Sequence, residues 1–577
     1  MEFAPGSSWS IGIKRFDADI TFDSTAIYKE KYPMQIKQYR IAGFYAVLSG
    51  VLYSSFVLPS VDSDSLTISL SCKSQGLKKA YMVMSGISEE EKLLYSDTLS
   101  INGWDEWHTF SKNIPLRNVA MLELAIAFSG NDTLRFEKSE DEEFTSLQNL
   151  WLDRIEMKVG DKIITGDTMS SSTATFLLPK VVFADDSLLT PTFEAPYKDT
   201  KIVAFGESVH GSATINEEVI QLLKHGIEHD NRRVILLETS LEKMLYVNRF
   251  VQGDTAFHLD SVKVYFEQTL YTDDKWIDFF SWLKKYNMQT NDKVWMLGID
   301  YNINYLSPLL DLFEYLATIN RTALNLDIAE FCKKLLHNRN KLEELLSFYQ
   351  SHDCFVNELG LLESKIVKHS LQSLIQRSGQ RLNPLTLRDD VMFNNLDFLL
   401  NLFSQVEDAK FGIYTHFGHA NYSSLKNKII SDPPFGALAK QAYGDDYFAV
   451  GIFVGEGKTL NNDNDKQWKY AHLQANSTDT FEYWLSQIPG DAFYVPKDFL
   501  PSHLMRYRSI GNSPTEFFYL MNPSCRMDGV LFMRESKPLK KATFEIDGDR
   551  DRFIFRFKKC LDESRREDFG KKRNLND

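Results

Sequence analysis

The sequence predicts an α/β protein: a parallel-sheet core with helices on both faces and a helical insert, preceded by an N-terminal antiparallel β-sandwich. From about Tyr197 onward, short apolar runs alternate with amphipathic helical segments, which is typical of a parallel sheet. Before about residue 165, short runs rich in Ile, Thr, Val, Phe and Tyr follow one another without sustained helical periodicity. The Leu-rich stretch from about 305 to 410 is helical in character and supplies the insert.

Composition excludes several classes of protein. The 577 residues include 65 Lys and Arg against 79 Asp and Glu, a formal charge of −14, which argues against a nucleic-acid-binding protein. The five Cys are scattered singly, so neither a disulfide scaffold nor a Cys-rich zinc module is predicted. We expect a small-molecule partner, with no nucleic acid and no membrane, while the oligomeric state stays open.

An uncharged run at 41–61 is long enough to span a bilayer. Ser, Gly and Pro interrupt it, so we predict two strands instead, FYAVL and VLYSSFVL, separated by a turn at Ser49 and Gly50. The first residues show no basic end followed by an apolar core, so no signal peptide is predicted. A cytoplasmic location is the expectation, and an extracytoplasmic one stays open if the start is truncated.

Four segments follow from these patterns. Residues 1–165 are predicted to form the sandwich, of jelly-roll or carbohydrate-binding type, with strands at IAGFYAVL, LTISLSC, KAYMVMSG, MLELAIAFSG and WLDRIEMKVG. A linker rich in Ser, Thr and Pro covers 166–196, and the α/β domain covers 197–541. Residues 542–577 are expected to form a hairpin across Asp547 and Gly548, then a charged tail.

The α/β domain contains four predicted strands, KIVAF, RRVILLE, KVWMLGID and AKFGIYTH. After the first strand, Thr214 and Glu217 have the spacing of a capping box that opens a helix. One face of this helix carries the apolar residues Ile215, Val219, Leu222 and Leu223. The second strand is followed by the helical segment SLEKMLYVNRFVQGD, with Gly253 placed just beyond its end.

Ionisable residues follow the ends of these four strands. Because the carboxyl ends of parallel strands meet at one edge of a sheet, we expect them to surround one crevice. A neutral His can take a proton from water, a carboxylate can fix its tautomer, and further donors can stabilise an oxyanion. The set therefore suits hydrolysis, and its members are Glu207, His210, Glu238, Asp300, His416 and His419.

These motifs resemble the erythromycin esterase family. The segments are GESVHG, ILLET, LGIDY, RDDVMFNN at 388–395, THFGH and a closing CRMDGVLFMRESKPL, and together they extend over about 201–539. The resemblance implies an esterase that cleaves a carboxylic ester or lactone with water activated on a His, without a metal or other cofactor. In the type members the bond is the macrolactone of a macrolide, so antibiotic resistance is part of the expectation.

The resemblance also implies roles for individual residues. His210 would be the general base, Glu238 would orient or assist it, and Glu207 would line the same pocket. His416 and His419 would bind the substrate carbonyl or position water.

Three further residues are expected on the substrate side. Arg388 would anchor a nearby carboxylate or the substrate, and Asp300 would contribute to substrate binding. Phe417 stands where the family usually has Asn, which bears on macrolide recognition more than on hydrolysis.

Three alternatives remain from the residues alone. His210, Glu238, His416 and His419 are also a ligand set for a zinc-dependent hydrolase, although no H-E-x-x-H occurs and His416 and His419 are expected in a loop. Ser208 follows a strand, but Gly206-x-Ser208-x-His210 departs from the G-x-S-x-G elbow of serine hydrolases. An inactive protein that binds glycans or other ligands is the third alternative.

Overall fold

The computed structural model describes residues 49–58, 63–103, 105–130, 149–164, 196–266, 271–300, 359–378, 388–405, 409–422, 433–462, 468–475, 477–511 and 516–540, together with a few short pieces elsewhere. Within these residues the chain is a mixed α/β protein with an antiparallel N-terminal β-rich region and a large mixed sheet. The predicted α/β class and the antiparallel start are therefore confirmed. None of the helices in this part of the chain is long and apolar enough to cross a membrane.

The strands and helices are numbered here in chain order. The strands are β1 Ser10–Ile11, β2 Ala18–Phe22, β3 Met34–Gln38, β4 Ser49–Val57, β5 Ser65–Gln75, β6 Leu77–Ile87, β7 Leu93–Ser100, β8 His108–Pro115, β9 Met121–Gly130, β10 Asn149–Val159, β11 Lys162–Ile163, β12 Val182–Phe183, β13 Ile202–Glu207, β14 Arg232–Ser240, β15 Trp295–Asp300, β16 Lys410–His416, β17 Tyr447–Asn462, β18 Trp468–Leu473, β19 Ala492–Pro496, β20 Met505–Ser509, β21 Phe517–Met521 and β22 Gly529–Ser536. The helices are α1 Ala213–His229, α2 Leu241–Val251, α3 Leu259–Phe266, α4 Asp274–Gln289, α5 Leu361–Ser378, α6 Arg388–Ser404, α7 Phe417–Ala420, α8 Phe435–Tyr443, α9 Phe481–Ser486 and α10 Pro523–Arg526.

The N-terminal region consists of two antiparallel sheets, with strand orders β1-β4-β9-β6-β7 and β2-β3-β10-β5-β8. Every second residue of β5 from Leu66 to Cys72 is fully buried, the alternation of a strand with one face on a core. Residues of both sheets, among them Leu70, Met82 and Leu152, share one buried cluster.

Most predicted N-terminal strands are present as β5, β6, β9 and β10. The turn predicted at Ser49 and Gly50 is wrong, because both residues belong to β4 and pair with Ser129 and Phe128 of β9. The run IAGFYAVL and the C-terminal hairpin lie outside the described residues. Within the predicted linker, Val182–Phe183 pairs with β19 and so adds a strand to the large sheet.

The large sheet has the order β12-β19-β22-β17-β13-β16-β14-β15, with β18 paired to β17. The pairs from β22 through β15 are parallel, whereas β12, β18 and β19 pair antiparallel. The sheet is therefore mixed, and the expected parallel core is its central part. All six residues of β13 are buried, as expected for a strand covered on both faces.

Helix α1 begins two residues earlier than the capping box predicted, because the N-cap is Ser212 and not Thr214. The hydroxyl of Ser212 accepts a hydrogen bond from the N–H of Ile215. Thr214 Oγ1 instead accepts the N–H of Lys537, so it ties the helix start to the end of β22. The predicted apolar face of α1 is confirmed, since all four of its residues are buried. Gly253 follows α2 with φ +90°, as its position beyond the helix end suggested.

The part of 305–410 that the structure describes is mainly helical, and α5 and α6 lie there. Helix α6 packs against β15, and α7 packs against β13 at the carboxyl ends of the parallel strands. The spatial order β13-β16-β14-β15 therefore sets four strand ends side by side, at Glu207, His416, Ser240 and Asp300. Glu207 and His416 are direct partners in the register of β13 and β16.

Candidate active site

The turn after β13 places His210 against the end of its own strand. Its Nδ1 lies 2.7 Å from Oε1 of Glu207, and the two side chains are 5% and 4% exposed. A carboxylate can only accept a hydrogen bond, so in the neutral imidazole Nδ1 carries the proton and Nε2 has the lone pair. The resemblance implied that Glu238 orients or assists His210, and the hydrogen bond to its Nδ1 is made by Glu207 instead.

A second hydrogen bond fixes the other oxygen of Glu207. The phenol of Tyr414, two residues before the end of β16, donates to Oε2 at 2.5 Å. The same phenol lies 3.2 Å from Oδ1 of Asn216 on α1, and Asn216 in turn donates to Asp273. Burial and the charge of Glu207 raise the pKa of Tyr414 well above its ordinary value, so it remains a donor. The Glu207 carboxylate that binds His210 is thus fixed by Tyr414 of β16, which in turn contacts Asn216 of α1.

Glu238, at the end of β14, stabilises the start of α7. Its Oε2 accepts the hydroxyl of Thr415 at 2.8 Å and the backbone N–H of His416 at 2.6 Å. Its own N–H donates to the phenol oxygen of Tyr271. Although burial acts in the opposite direction, Arg388 and the neighbouring imidazoles lower the pKa of Glu238 strongly, so it is ionised.

Arg388, the first residue of α6, joins two strand ends. Its guanidinium contacts Asp300 through Nε at 2.7 Å and Nη2 at 2.8 Å, and Nη2 also donates to Oε1 of Glu238 at 2.6 Å. This is the paired geometry that a guanidinium forms with a carboxylate. Of the two predicted roles for Arg388, the structure shows the anchoring of carboxylates. Asp300 holds Arg388 with both of its oxygens.

His416 ends β16 and caps α7. Its Nδ1 accepts the backbone N–H of Gly418 at 3.0 Å, so a neutral ring carries its proton on Nε2. Burial and the nearby His210 lower the pKa of His416 well below its ordinary value, which keeps the ring neutral at pH 7. The rings of His210 and His416 lie 4.7 Å apart. The site therefore presents a lone pair on one ring and an N–H on the other.

His419 lies within α7, not in the loop expected from the sequence. Its Nδ1 is 2.8 Å from Oδ1 of Asp389, and its Nε2 is 3.7 Å from Oε1 of Glu238. Burial acts to lower the pKa of His419, but the charge of Asp389, its hydrogen bond and the charge of Glu238 together outweigh burial, and the pKa is raised. His419 thus lies beside Glu238, and its pKa is shifted in the opposite direction to that of His416.

Two predicted residues face the core. Phe417, expected on the substrate side, is 1% exposed and packs against Phe453 and Tyr507. Because His416 occupies the N-cap, the first residue of α7 is turned inward against β13. Ser208 is fully buried in the turn after β13, whereas the nucleophilic serine of a G-x-S-x-G elbow exposes its Oγ.

Ser509 at the end of β20 also reaches the site, with Oγ 3.4 Å from Nε2 of His416. Since the proton of His416 is on Nε2, this imidazole donates toward Ser509 and cannot accept its proton. Among the described residues, no group of three or more His, Cys, Asp and Glu side chains is arranged to hold a metal ion.

Sequence reasoning missed Tyr414, Asn216, Thr415 and Ser509. Thr415 had a signal, because it opens the motif THFGH, whereas Tyr414, Asn216 and Ser509 lie outside the quoted motifs. Asp389 also had a signal, because it directly follows Arg388 in the motif RDDVMFNN.

The fold and these contacts define a protein with a buried carboxylate–imidazole pair at the carboxyl end of a mixed sheet. The family model described as erythromycin esterase matches residues 227–353 and 362–536, more than half of the chain. The chain therefore belongs to the erythromycin esterase family. Membership indicates, at the level of the family, a hydrolase of esters or lactones that acts on a small molecule.

Individual relatives are distant. Erythromycin esterase type II of Escherichia coli is 21% identical over 300 residues, which are 45% of this chain and 70% of the relative. A solved structure of a Bacillus cereus protein covers 60% of this chain and 90% of its own, with 15% identity and a TM-score of 0.45. A mutant of the erythromycin esterase EreC in its open conformation covers 61% and 94%, with 15% identity and a TM-score of 0.42.

Proposed function

We propose that the chain hydrolyses a carboxylic ester or lactone by direct attack of water, with His210 as general base. The observation that carries this proposal is the 2.7 Å contact between His210 Nδ1 and Glu207 Oε1. It leaves Nε2 as the basic nitrogen, and the charge of Glu207 stabilises the imidazolium that forms.

The reaction has two steps in this proposal. As the water oxygen attacks the acyl carbon, Nε2 of His210 takes one of its protons, and the carbonyl oxygen becomes an oxyanion. The Nε2–H of His416 donates a hydrogen bond to that oxyanion. A neutral imidazole suits this role better than an imidazolium, because it keeps its proton and does not transfer it to the oxyanion. The tetrahedral intermediate then expels the alkoxide, which takes the proton from His210, and the free acid is released.

Glu238 acts through His416 in this scheme. By accepting the backbone N–H of His416 it fixes the start of α7, and hence the direction of the imidazole. Arg388, itself held by Asp300, keeps Glu238 in place, and the raised pKa of His419 favours the charged form of that ring beside Glu238. These residues position the donor and do not touch the reacting atoms.

The test compares hydrolysis of 4-nitrophenyl acetate by the wild-type chain, His210→Ala and His225→Ala. His225 is a partly buried residue near the end of α1 that lies away from the site, and it serves as the matched control. We expect His210→Ala to lose activity at least about a hundredfold and His225→Ala to retain it. Wild-type activity in His210→Ala would reject the proposal.

Two additional measurements address the metal and the substrate. Activity that is lost with a chelator and restored by Zn²⁺ would replace the proposed water-only route by a zinc-dependent one. Incubation with macrolides followed by mass spectrometry tests the antibiotic as substrate through the gain of one water. An unchanged mass would exclude macrolides as substrates. Ester hydrolysis itself would still be tested by the 4-nitrophenyl acetate assay.

A further inference from the structure

Strands β20 and β21 form a two-stranded antiparallel ribbon beside the candidate site. In its register Ser509 pairs with Phe517, Arg508 with Phe518 and Tyr507 with Tyr519. Directly paired residues of an antiparallel ribbon project from the same face, and residues two apart share that face. Ser509, Phe517, Tyr507 and Tyr519 therefore lie on one face, whereas Phe518 lies on the other.

This first face is turned toward His416. Ser509 Oγ is 3.4 Å from Nε2 of His416, and the ring of Tyr507 lies 5.5 Å from that of Phe417. Since cross-strand Cβ atoms are separated by about 5 Å, the Phe517 side chain starts within about 10 Å of the imidazole edge.

Exposure rises along the same face. Ser509 and Tyr507 are each 6% exposed, whereas Phe517 is 44% exposed. The ring of Phe517 stacks on Tyr519 with centroids 6.4 Å apart, and Tyr519 lies 5.9 Å from Tyr507. A row of packed rings thus runs from Phe417, which follows His416 in the chain, through Tyr507 and Tyr519 to the exposed Phe517.

We propose that Phe517 contacts an apolar chain of the substrate, so that the site prefers esters that carry such a chain. This inference rests on the proposed hydrolysis, because it takes the substrate carbonyl to lie at His416. An extended eight-carbon chain spans about 9 Å and would reach Phe517 from that position. A two-carbon chain would not reach it.

Phe518 provides a matched control, since it is the same residue type, 45% exposed, and on the opposite face. The experiment measures kcat/KM for wild type, Phe517→Ala and Phe518→Ala with two pairs of esters. The first pair, 4-nitrophenyl octanoate and 4-nitrophenyl acetate, varies the acyl chain. The second pair, octyl acetate and ethyl acetate, varies the alcohol chain.

We expect Phe517→Ala to lose about tenfold in kcat/KM on the long member of one pair and less than about twofold on its short member. Phe518→Ala should match wild type on all four esters. Equal effects of Phe517→Ala on long and short members of both pairs would overturn the inference and leave the esterase proposal intact.

A calorimetric titration with octanoate accompanies these assays and does not depend on turnover. If wild type hydrolyses none of the four esters, the proposed hydrolysis fails. Weaker octanoate binding by Phe517→Ala alone then still supports the apolar contact, and equal binding by all three proteins contradicts it.

Discussion

Glu91 of the N-terminal β-rich region forms an ion pair with Arg526 of α10, with Oε2 and Nε 2.5 Å apart. The two side chains are 2% and 8% exposed, and Oε1 of Glu91 accepts the backbone N–H of Asn522. Glu91 also has φ +56°, a conformation that non-glycine residues adopt only when their surroundings hold it. The N-terminal region is therefore joined to the site-bearing domain by a buried, specific contact.

Glu91→Ala should destabilise the protein strongly, because it leaves the Arg526 guanidinium buried without its partner. We expect a loss of about 3–5 kcal/mol in the free energy of unfolding, measured by denaturant titration. The exposed pair between Glu217 and Lys275 is the control, and Glu217→Ala should cost less than about 1 kcal/mol. Equal stability of the two variants would contradict the importance of this contact.

The same substitution should also reduce hydrolysis. Arg526 donates to Oδ1 of Asn421, and the amide of Asn421 donates to the carbonyl oxygens of Phe417 and Gly418 in α7. Loss of Glu91 thus loosens the helix that carries His419 and follows His416. A folded Glu91→Ala protein with wild-type kcat/KM on 4-nitrophenyl acetate would show that this connection does not reach the site.

Tyr414→Phe should lower activity without unfolding the protein. The change removes only the hydroxyl that donates to Glu207, and a hydrogen bond to a charged group contributes about 1.5–3 kcal/mol, which is about 10- to 100-fold in rate. Tyr443→Phe is the control, because Tyr443 likewise donates to a carboxylate, that of Asp397, away from the His210 pair. We expect kcat/KM of Tyr414→Phe to fall at least about tenfold. A fall of the same size in both variants would argue against a specific role for Tyr414.

Glu482 on α9 should make stability depend on pH. It is 1% exposed, and although Arg508 acts in the opposite direction, burial raises its pKa from 4.5 to about 7. Because the folded-state pKa is the higher one, the contribution of this group is fully present below pH 4.5 and is lost as pH rises through 7.

Glu482→Gln should therefore flatten the dependence of the free energy of unfolding on pH between about 4.5 and 8. The part removed is up to about 3 kcal/mol for a shift of this size. Denaturant titrations at several pH values measure it, and the exposed Glu228→Gln should keep the wild-type dependence. A Glu482→Gln curve parallel to wild type would show that Glu482 is ionised in the folded protein throughout.

The sequence was sufficient to predict that the ionisable residues at four strand ends come together, but not which of them pair. Acidic and imidazole side chains at Glu207, Glu238, Asp300 and His416 follow strand ends that are visible as apolar runs. His210 pairs with Glu207 at the end of β13, whereas Glu238 lies on β14, which β16 separates from β13 in the sheet order. That order is set by packing between segments far apart in the chain, so Glu238 could not be told from Glu207.

Local geometry limited the rest of the prediction. Phe417 was expected at the substrate, and the N-cap at His416 turns it into the core. Tyr414 lies in the buried run FGIYTH, where its ring reads as core although its hydroxyl reaches Glu207. The antiparallel strands at the sheet margin were missed because β12 is only two residues long and lies in a segment that reads as a linker.

The most direct test of the account is a double-mutant cycle on kcat/KM for 4-nitrophenyl acetate with His210→Ala, Glu207→Gln and the double variant. If Glu207 acts only through His210, the effects of the two substitutions are not additive. The double variant should then have the same kcat/KM as His210→Ala alone. If the fold-losses in kcat/KM of the two single variants multiply in the double variant, the account is contradicted. Glu207 and His210 would then contribute independently, and the imidazole would not be the base that the carboxylate supports.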